Sequence, residues 1–146
     1  MRVSYASNNQ VPEDAGPAFA ETRPMAHVLV VDDERDTLIV LEQALASFGY
    51  HVTTANNGAD AIEKAASWAP DAVVTDLLMP FIDGIGLAKA LRSNPQTAGV
   101  KIVLCSGVPE DNVRALFDGY DAFMHKPFTI ELLRDILGAL LPQPAY

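Results

Sequence analysis

The chain has 146 residues, enough for one domain to bury a core without disulfide staples. Hydrophobic residues make up 49% and charged residues 20%, the balance of a folded globular chain rather than a disordered one. The net charge is −9 and the ten Lys and Arg are scattered rather than clustered, which argues against a nucleic-acid surface.

Residues 1–24, MRVSYASNNQVPEDAGPAFAETRP, hold three prolines and many small polar residues with no sustained apolar period. They are expected to form a disordered N-terminal tail ahead of a domain over 25–146. The start also lacks the apolar core of a secretory signal. No apolar run approaches the roughly 18 residues of a spanning helix. A cytoplasmic protein with no membrane partner is expected.

HVLVV (27–31) is the first apolar run. Leu38, Leu41, Leu45 and Phe48 then recur at helical spacing, and Gly49 suits the C-terminal cap of that helix. YHVTT (50–54) reads as a second strand, followed by a short helix from about Gly58 to Ser67 that Pro70 helps to end. DAVVTD (71–76) is the third strand, and GIGLAKALR (84–92) places Leu87 and Leu91 on one helical face. VKIVLC (100–105) is the fourth strand; its Cys105 is the sole cysteine, read as an inert core thiol. A short helix over about 109–117 follows, with Val113, Leu116 and Phe117 on one side, and then the strand DAFMH (121–125). The last helix takes Thr129 as its N-cap and turns Leu133, Leu137 and Leu140 inward.

This alternation predicts a parallel sheet with helices on both faces. HVLVV, AVV and KIVLC are nearly continuous apolar runs, as strands covered on both faces must be. YHVTT is the most polar and DAFMH is mixed, so these two fit the edges. The result is a doubly wound, flavodoxin-like (βα)5 α/β fold with a five-stranded sheet in the order 2-1-3-4-5.

Polar residues at the strand ends then fall on one edge of the sheet. Asp32 and Asp33 follow the first strand, Asp76 ends the third, Ser106 follows the fourth and Lys126 the fifth. Each has an innocent explanation: the aspartates can cap a helix, Ser106 can turn the chain, and Lys126 can be a solvated lysine before Pro127. Five such accidents at one edge are a poor account. Ligands bind at the carboxyl ends of strands in open α/β sheets. Three grouped carboxylates repel one another unless a cation lies among them. Mg²⁺ takes oxygen ligands, typically a couple of carboxylates with waters and phosphate oxygens. Asp33 and Asp76 offer side-chain oxygens, Leu78 a backbone carbonyl, and Asp32 acts directly or through water. A carboxylate is also a nucleophile toward phosphorus. Asp76 is accordingly read as a phosphoacceptor, with Lys126 supplying positive charge and Ser106 a hydroxyl donor.

VVDDE, TDLLMPFIDG, CSG and FMHKPF, in this order and spacing, resemble the receiver domain of two-component response regulators over about residues 26–141. The resemblance implies a phosphohistidine donor, either a sensor histidine kinase or a histidine phosphotransfer protein. It places the family's hydroxyl on Ser106, its lysine on Lys126 and its switch aromatic on Phe123. In the family, phosphorylation draws the hydroxyl toward the phosphoryl group and the aromatic turns inward behind it. The resemblance also implies a cis Lys126–Pro127 bond, and puts Leu78 and Val108 beside the path of the water that hydrolyses the phosphoryl group. Such a domain is not a conventional enzyme; it promotes its own phosphorylation and dephosphorylation.

The stretch from Ser106 to Lys126 is shorter than in many receivers and contains Pro109, so an unusual fourth helix is expected. The pattern shows no effector domain after the fifth helix, which points to a stand-alone receiver that switches the binding of an unidentified protein partner. The alternatives are a phosphorelay shuttle to a further histidine and a haloacid-dehalogenase-like phosphatase. The phosphatase would need a D-x-D arrangement after the first strand, whereas Asp32 and Asp33 are adjacent. A phosphorylation-independent receiver is disfavoured because no site residue is missing. His27, His51 and His125 show no metal-ligand spacing.

Overall fold

In the computed structural model, which describes residues 25–142, strands and helices alternate along the chain. They are β1 (His27–Val31), α1 (Arg35–Ser47), β2 (His51–Ala55), α2 (Gly58–Ser67), β3 (Ala72–Asp76), α3 (Gly84–Ser93), β4 (Lys101–Ser106), α4 (Glu110–Arg114), β5 (Ala122–His125) and α5 (Ile130–Leu140). All four strand pairings are parallel and the sheet order is β2-β1-β3-β4-β5, with the polar strands at the edges as expected. The tail expected over 1–24 lies outside the described residues. Among the described residues, no helix is long and apolar enough to cross a membrane.

Period-two alternation sends neighbouring strand residues to opposite faces. Leu29, Val31, Val73, Ile102 and Leu104 pack with Ala61 and Ala65 of α2 and with Leu87 and Leu91 of α3. Val28, Val30, Val74, Val103 and Cys105 pack with Leu38, Leu41 and Leu45 of α1 and with Leu133 and Leu137 of α5. Leu133 and Leu137 are fully buried, and truncating either to Ala would cost about 2–5 kcal/mol. Burial pushes the Cys105 thiol up to about 12, so it is a core residue without nucleophilic character.

Local chemistry sets the helix boundaries. Asn57 Oδ1 accepts from Asp60 N at 2.7 Å, Asp83 Oδ1 from Gly86 N at 2.8 Å, and Thr129 Oγ1 from Leu132 N at 3.1 Å. After α1, Gly49 takes φ 97°, a conformation that carries no Cβ penalty in glycine. Tyr50 belongs to this cap rather than to β2, since its N–H bonds Leu45 O at 3.2 Å. Ser106 is the last residue of β4 rather than the residue after it.

The fourth helix departs from expectation. It spans only Glu110–Arg114, with Pro109 at the N-cap. Leu116 and Phe117 both donate their N–H groups to Val113 O, which ends the helix. Leu116, expected on the inner side, is therefore 72% exposed, while Val113 stays buried.

Candidate functional site

The sheet register brings the strand ends level. Val31 pairs with Thr75, Asp76 with Cys105, and Ser106 with His125, so the residues ending β1, β3, β4 and β5 share one edge. Asp32 follows β1 and is 4% exposed, its N–H bonded to Ala55 O at 3.2 Å. Its Oδ1 accepts from Glu34 N at 2.9 Å, while the N-cap of α1 is Glu34, with no side-chain cap. Neither Asp32 nor Asp33 is therefore the N-cap of this helix, the innocent role considered for them, although Asp32 accepts from the N–H of the cap residue. Asp33 beside it is exposed.

Asp76 closes β3, and the chain then folds back tightly. Leu77 N bonds Cys105 O at 2.9 Å, and Gly84 N bonds Leu77 O at 2.8 Å. A Cβ on Gly84 would lie 2.6 Å from the Asp76 carbonyl oxygen and 2.9 Å from Leu77 Cα. Only glycine lets the start of α3 sit against the backbone that carries Asp76. Within this turn Leu78 is 64% exposed, and Phe81 is fully exposed at φ 68°, a conformation that bulky residues rarely adopt.

One oxygen each of Asp32, Asp33 and Asp76 lie within 4.8 Å of one another. Lys126 Nζ is 2.9 Å from Asp76 Oδ1, and Lys126 N bonds Ser106 O at 2.8 Å. The Lys126–Pro127 peptide is cis. Ser106 is buried, and its Oγ accepts from Val108 N at 2.9 Å. Phe123 is half-buried against the core that holds α2 and α3. The structure therefore gathers Asp32, Asp33, Asp76 and Lys126 directly, with Ser106 on the neighbouring strand end.

Charge at this edge is unbalanced. Burial raises the Asp32 carboxyl pKa, opposed by the Glu34 N–H, and Asp76 and Asp33 add to the rise. For Lys126, burial pulls the ammonium down, but the hydrogen bond and charge of Asp76 outweigh it and hold the pKa above its ordinary value. Three carboxylates facing one lysine leave a negative excess, and their donor atoms are all oxygen. That donor set fits a hard divalent cation such as Mg²⁺.

Two of the three histidines lie elsewhere, while His125 ends β5 on the same edge. His27 stacks on Trp68 with ring centroids 4.0 Å apart and bonds Thr53 Oγ1 through Nε2 at 2.8 Å, at the opposite end of β1. His51 and His125 are exposed. One contact gave no sequence signal: the Tyr120 hydroxyl donates to Glu110 Oε2 at 2.8 Å, across the short α4. Neither residue belongs to a motif, and only the tertiary fold brings them together.

The model of the response regulator receiver domain family matches residues 28–138. The chain belongs to this family. The receiver is 39% identical over 114 residues to the transcriptional regulatory protein PrrA of Mycobacterium leprae (strain TN), a match covering 78% of this chain and 49% of that protein. It spans about half the length of the curated relatives it matches. Its fold is similar to that of the chemotaxis response regulator CheY4 of Vibrio cholerae, with a TM-score of 0.75, 31% identity, and coverage of 81% of this chain and 100% of that one. It is also similar to the response regulator TrrA of Thermotoga maritima in complex with Mg²⁺-BeF, with a TM-score of 0.72, 31% identity, and coverage of 80% and 100%.

Proposed function

We propose that this receiver, in the cytoplasm, takes a phosphoryl group onto Asp76 from the phosphohistidine of a sensor histidine kinase or a histidine phosphotransfer protein. The phosphorylated form then changes which protein it binds. The observation that carries this reading is the Asp76–Lys126 contact of 2.9 Å beside two further carboxylates. An Asp76 oxygen forms the new P–O bond as the P–N bond of the donor breaks and the imidazole leaves. Phosphoryl transfer depends on positioning and on neutralising charge more than on covalent help. Lys126 offers its ammonium to the phosphoryl oxygens, and Ser106 offers its hydroxyl.

Asp32, Asp33, Asp76 and the Leu78 carbonyl are the residues that hold Mg²⁺ in this reading. When bound, the ion supplies the positive charge that lets an anionic donor approach an acidic edge. The complex of TrrA with Mg²⁺-BeF supports that assignment by analogy. Ser106 and Phe123 form the switch, and the face of α4, β5 and α5 carries the signal to a protein partner. The transcriptional role named for PrrA belongs to a protein of which this chain matches 49%.

The test is Asp76→Asn, which keeps the shape and removes the attacking anion. Parent and variant are incubated with acetyl phosphate and Mg²⁺ and their intact masses measured. The parent is expected to gain one phosphoryl group and the variant none. Equal gain by both would place the acceptor elsewhere.

A further inference from the structure

Tyr120 lies in the segment between α4 and β5. Its hydroxyl donates to Glu110 Oε2 at 2.8 Å, and the same oxygen lies 2.9 Å from an Arg114 guanidinium nitrogen. The Tyr120 ring neighbours Phe117 and Phe123, with centroids 6.5 and 6.1 Å away. Glu110 opens α4, and only residues 107–109 separate it from Ser106. Within that short segment Val108 N donates to Ser106 Oγ at 2.9 Å.

These contacts form one chain. A five-residue helix makes few hydrogen bonds of its own, so tertiary ties fix its place. Tyr120–Glu110 is such a tie, and hydrogen bonds to an ionised carboxylate are the stronger kind. The bond itself is the main cause that holds the Glu110 carboxyl below its ordinary range. The Tyr120 phenol is raised, chiefly by burial, so donor and acceptor both keep the required forms at neutral pH. The start of α4 in turn limits where Val108 can sit, and Val108 N–H engages the Ser106 oxygen.

We propose that the Tyr120–Glu110 hydrogen bond holds Ser106 in its unphosphorylated setting, which makes Tyr120 a positioning residue for phosphoryl uptake at Asp76. The proposal rests on the function given above. For Ser106 to turn toward a phosphoryl group, the Val108–Ser106 contact must yield and residues 107–109 must shift. The tie from Tyr120 opposes that shift. Without it, the state with Ser106 turned is more populated, and uptake from a small donor speeds up in proportion.

Tyr120→Phe keeps the ring beside Phe117 and Phe123 and removes only the hydroxyl. Its initial rate of phosphoryl uptake from acetyl phosphate, at saturating Mg²⁺, is expected to rise about tenfold, equivalent to about 1.4 kcal/mol. Glu110→Ala is expected to give a similar rise, and the double variant no more than either alone. Glu110→Gln keeps an acceptor oxygen but loses the charge that strengthens the bond, so its rate is expected to fall between the parent and Glu110→Ala. A merely structural tyrosine would lower the melting temperature of Tyr120→Phe without raising the rate. If the parent is phosphorylated and Tyr120→Phe is no faster, the positioning role is wrong while the acceptor reading stands. If the parent takes up no phosphoryl group, the acceptor reading fails and this inference with it.

Discussion

Lys126 Nζ lies 2.9 Å from Asp76 Oδ1 although their strands do not touch, because β4 runs between β3 and β5. The long lysine stem spans β4 to place an ammonium at the end of β3. Lys126 is 37% exposed at its side chain, so the pair contributes little to stability. Its effect should fall on phosphoryl uptake instead. Lys126→Ala is expected to slow uptake from acetyl phosphate at least tenfold, about 1.4 kcal/mol of barrier, with a small change in melting temperature. Lys126→Arg keeps the charge but presents a planar fork in place of a compact ammonium, so it should restore only part of the rate. Full activity in the alanine variant would remove Lys126 from the site.

The second prediction separates repulsion from metal binding. Without a divalent ion, Asp33 adds to the carboxylate repulsion at this edge. Asp33→Ala should therefore melt higher than the parent in a chelator. With Mg²⁺ the order should reverse, because an ion at 100 times its Kd adds about 2.7 kcal/mol to the protein that binds it. Asp32→Ala should show a smaller loss of the Mg²⁺ response, since its Oδ1 is already engaged by Glu34 N. Trp68 is a poor reporter for this titration: it stacks at the start of β1, and Asp32 follows that strand's end, about 16 Å away at normal strand rise. Thermal melts are the measurement. An equal Mg²⁺ shift in Asp33→Ala and parent would take Asp33 out of the ligand set.

Sheet order and the acidic edge could both be read from the sequence, for one physical reason. A strand covered on both faces has little room for a charged residue until it ends, so Asp32, Asp76 and Lys126 mark strand ends by their charge, and Ser106 closes the apolar run of β4. Leu116 misled because helical spacing predicts burial only while the helix lasts, and α4 stops at Arg114. Tyr50 misled because a β-prone aromatic can equally fill the cap of the preceding helix. The Tyr120–Glu110 bond and the His27–Trp68 stack gave no local pattern at all. They join residues ten or more positions apart by way of rotamers and loop paths that no periodicity encodes.

The third prediction follows from that stack. His27 is 5% exposed, stacked on Trp68 and edge-on to His51 at 5.4 Å. Burial, and then the charge of His51, hold its pKa below the ordinary 6.5, although the Ala69 carbonyl and Asp71 pull upward. The folded protein thus takes a proton at His27 less readily than the unfolded chain. The stability contributed is full above pH 6.5 and is lost as pH falls from there through the lowered value. The melting temperature should drop across this window, with Trp68 emission changing over the same range. His27→Gln should flatten the slope. Parallel slopes for parent and variant would assign the pH dependence to other groups.

The last prediction concerns how long the phosphoryl group survives. Hydrolysis needs a water held in line with the bond to Asp76. The resemblance places Leu78 and Val108 beside that path. Leu78 is 64% exposed and free to cover the approach, while the Val108 backbone is tied to Ser106 Oγ at 2.9 Å. When that bond yields to the phosphoryl group, Val108, two residues from Ser106 in sequence, still lies near the hydroxyl. Neither side chain can hydrogen-bond a water, and both can obstruct one. Holding a nucleophile in place can account for several kcal/mol of a barrier. Forfeiting about 1.4 kcal/mol of it slows hydrolysis tenfold. A long-lived phosphoryl state is expected, suited to sustained binding rather than rapid reset. The double variant Leu78→Asn, Val108→Glu supplies two groups that can orient water and leaves the Val108 N–H in place. After removal of the donor, its phosphoryl group should decay several times faster than that of the parent, followed by intact mass. Decay no faster than the parent would mean that these two side chains do not set the rate.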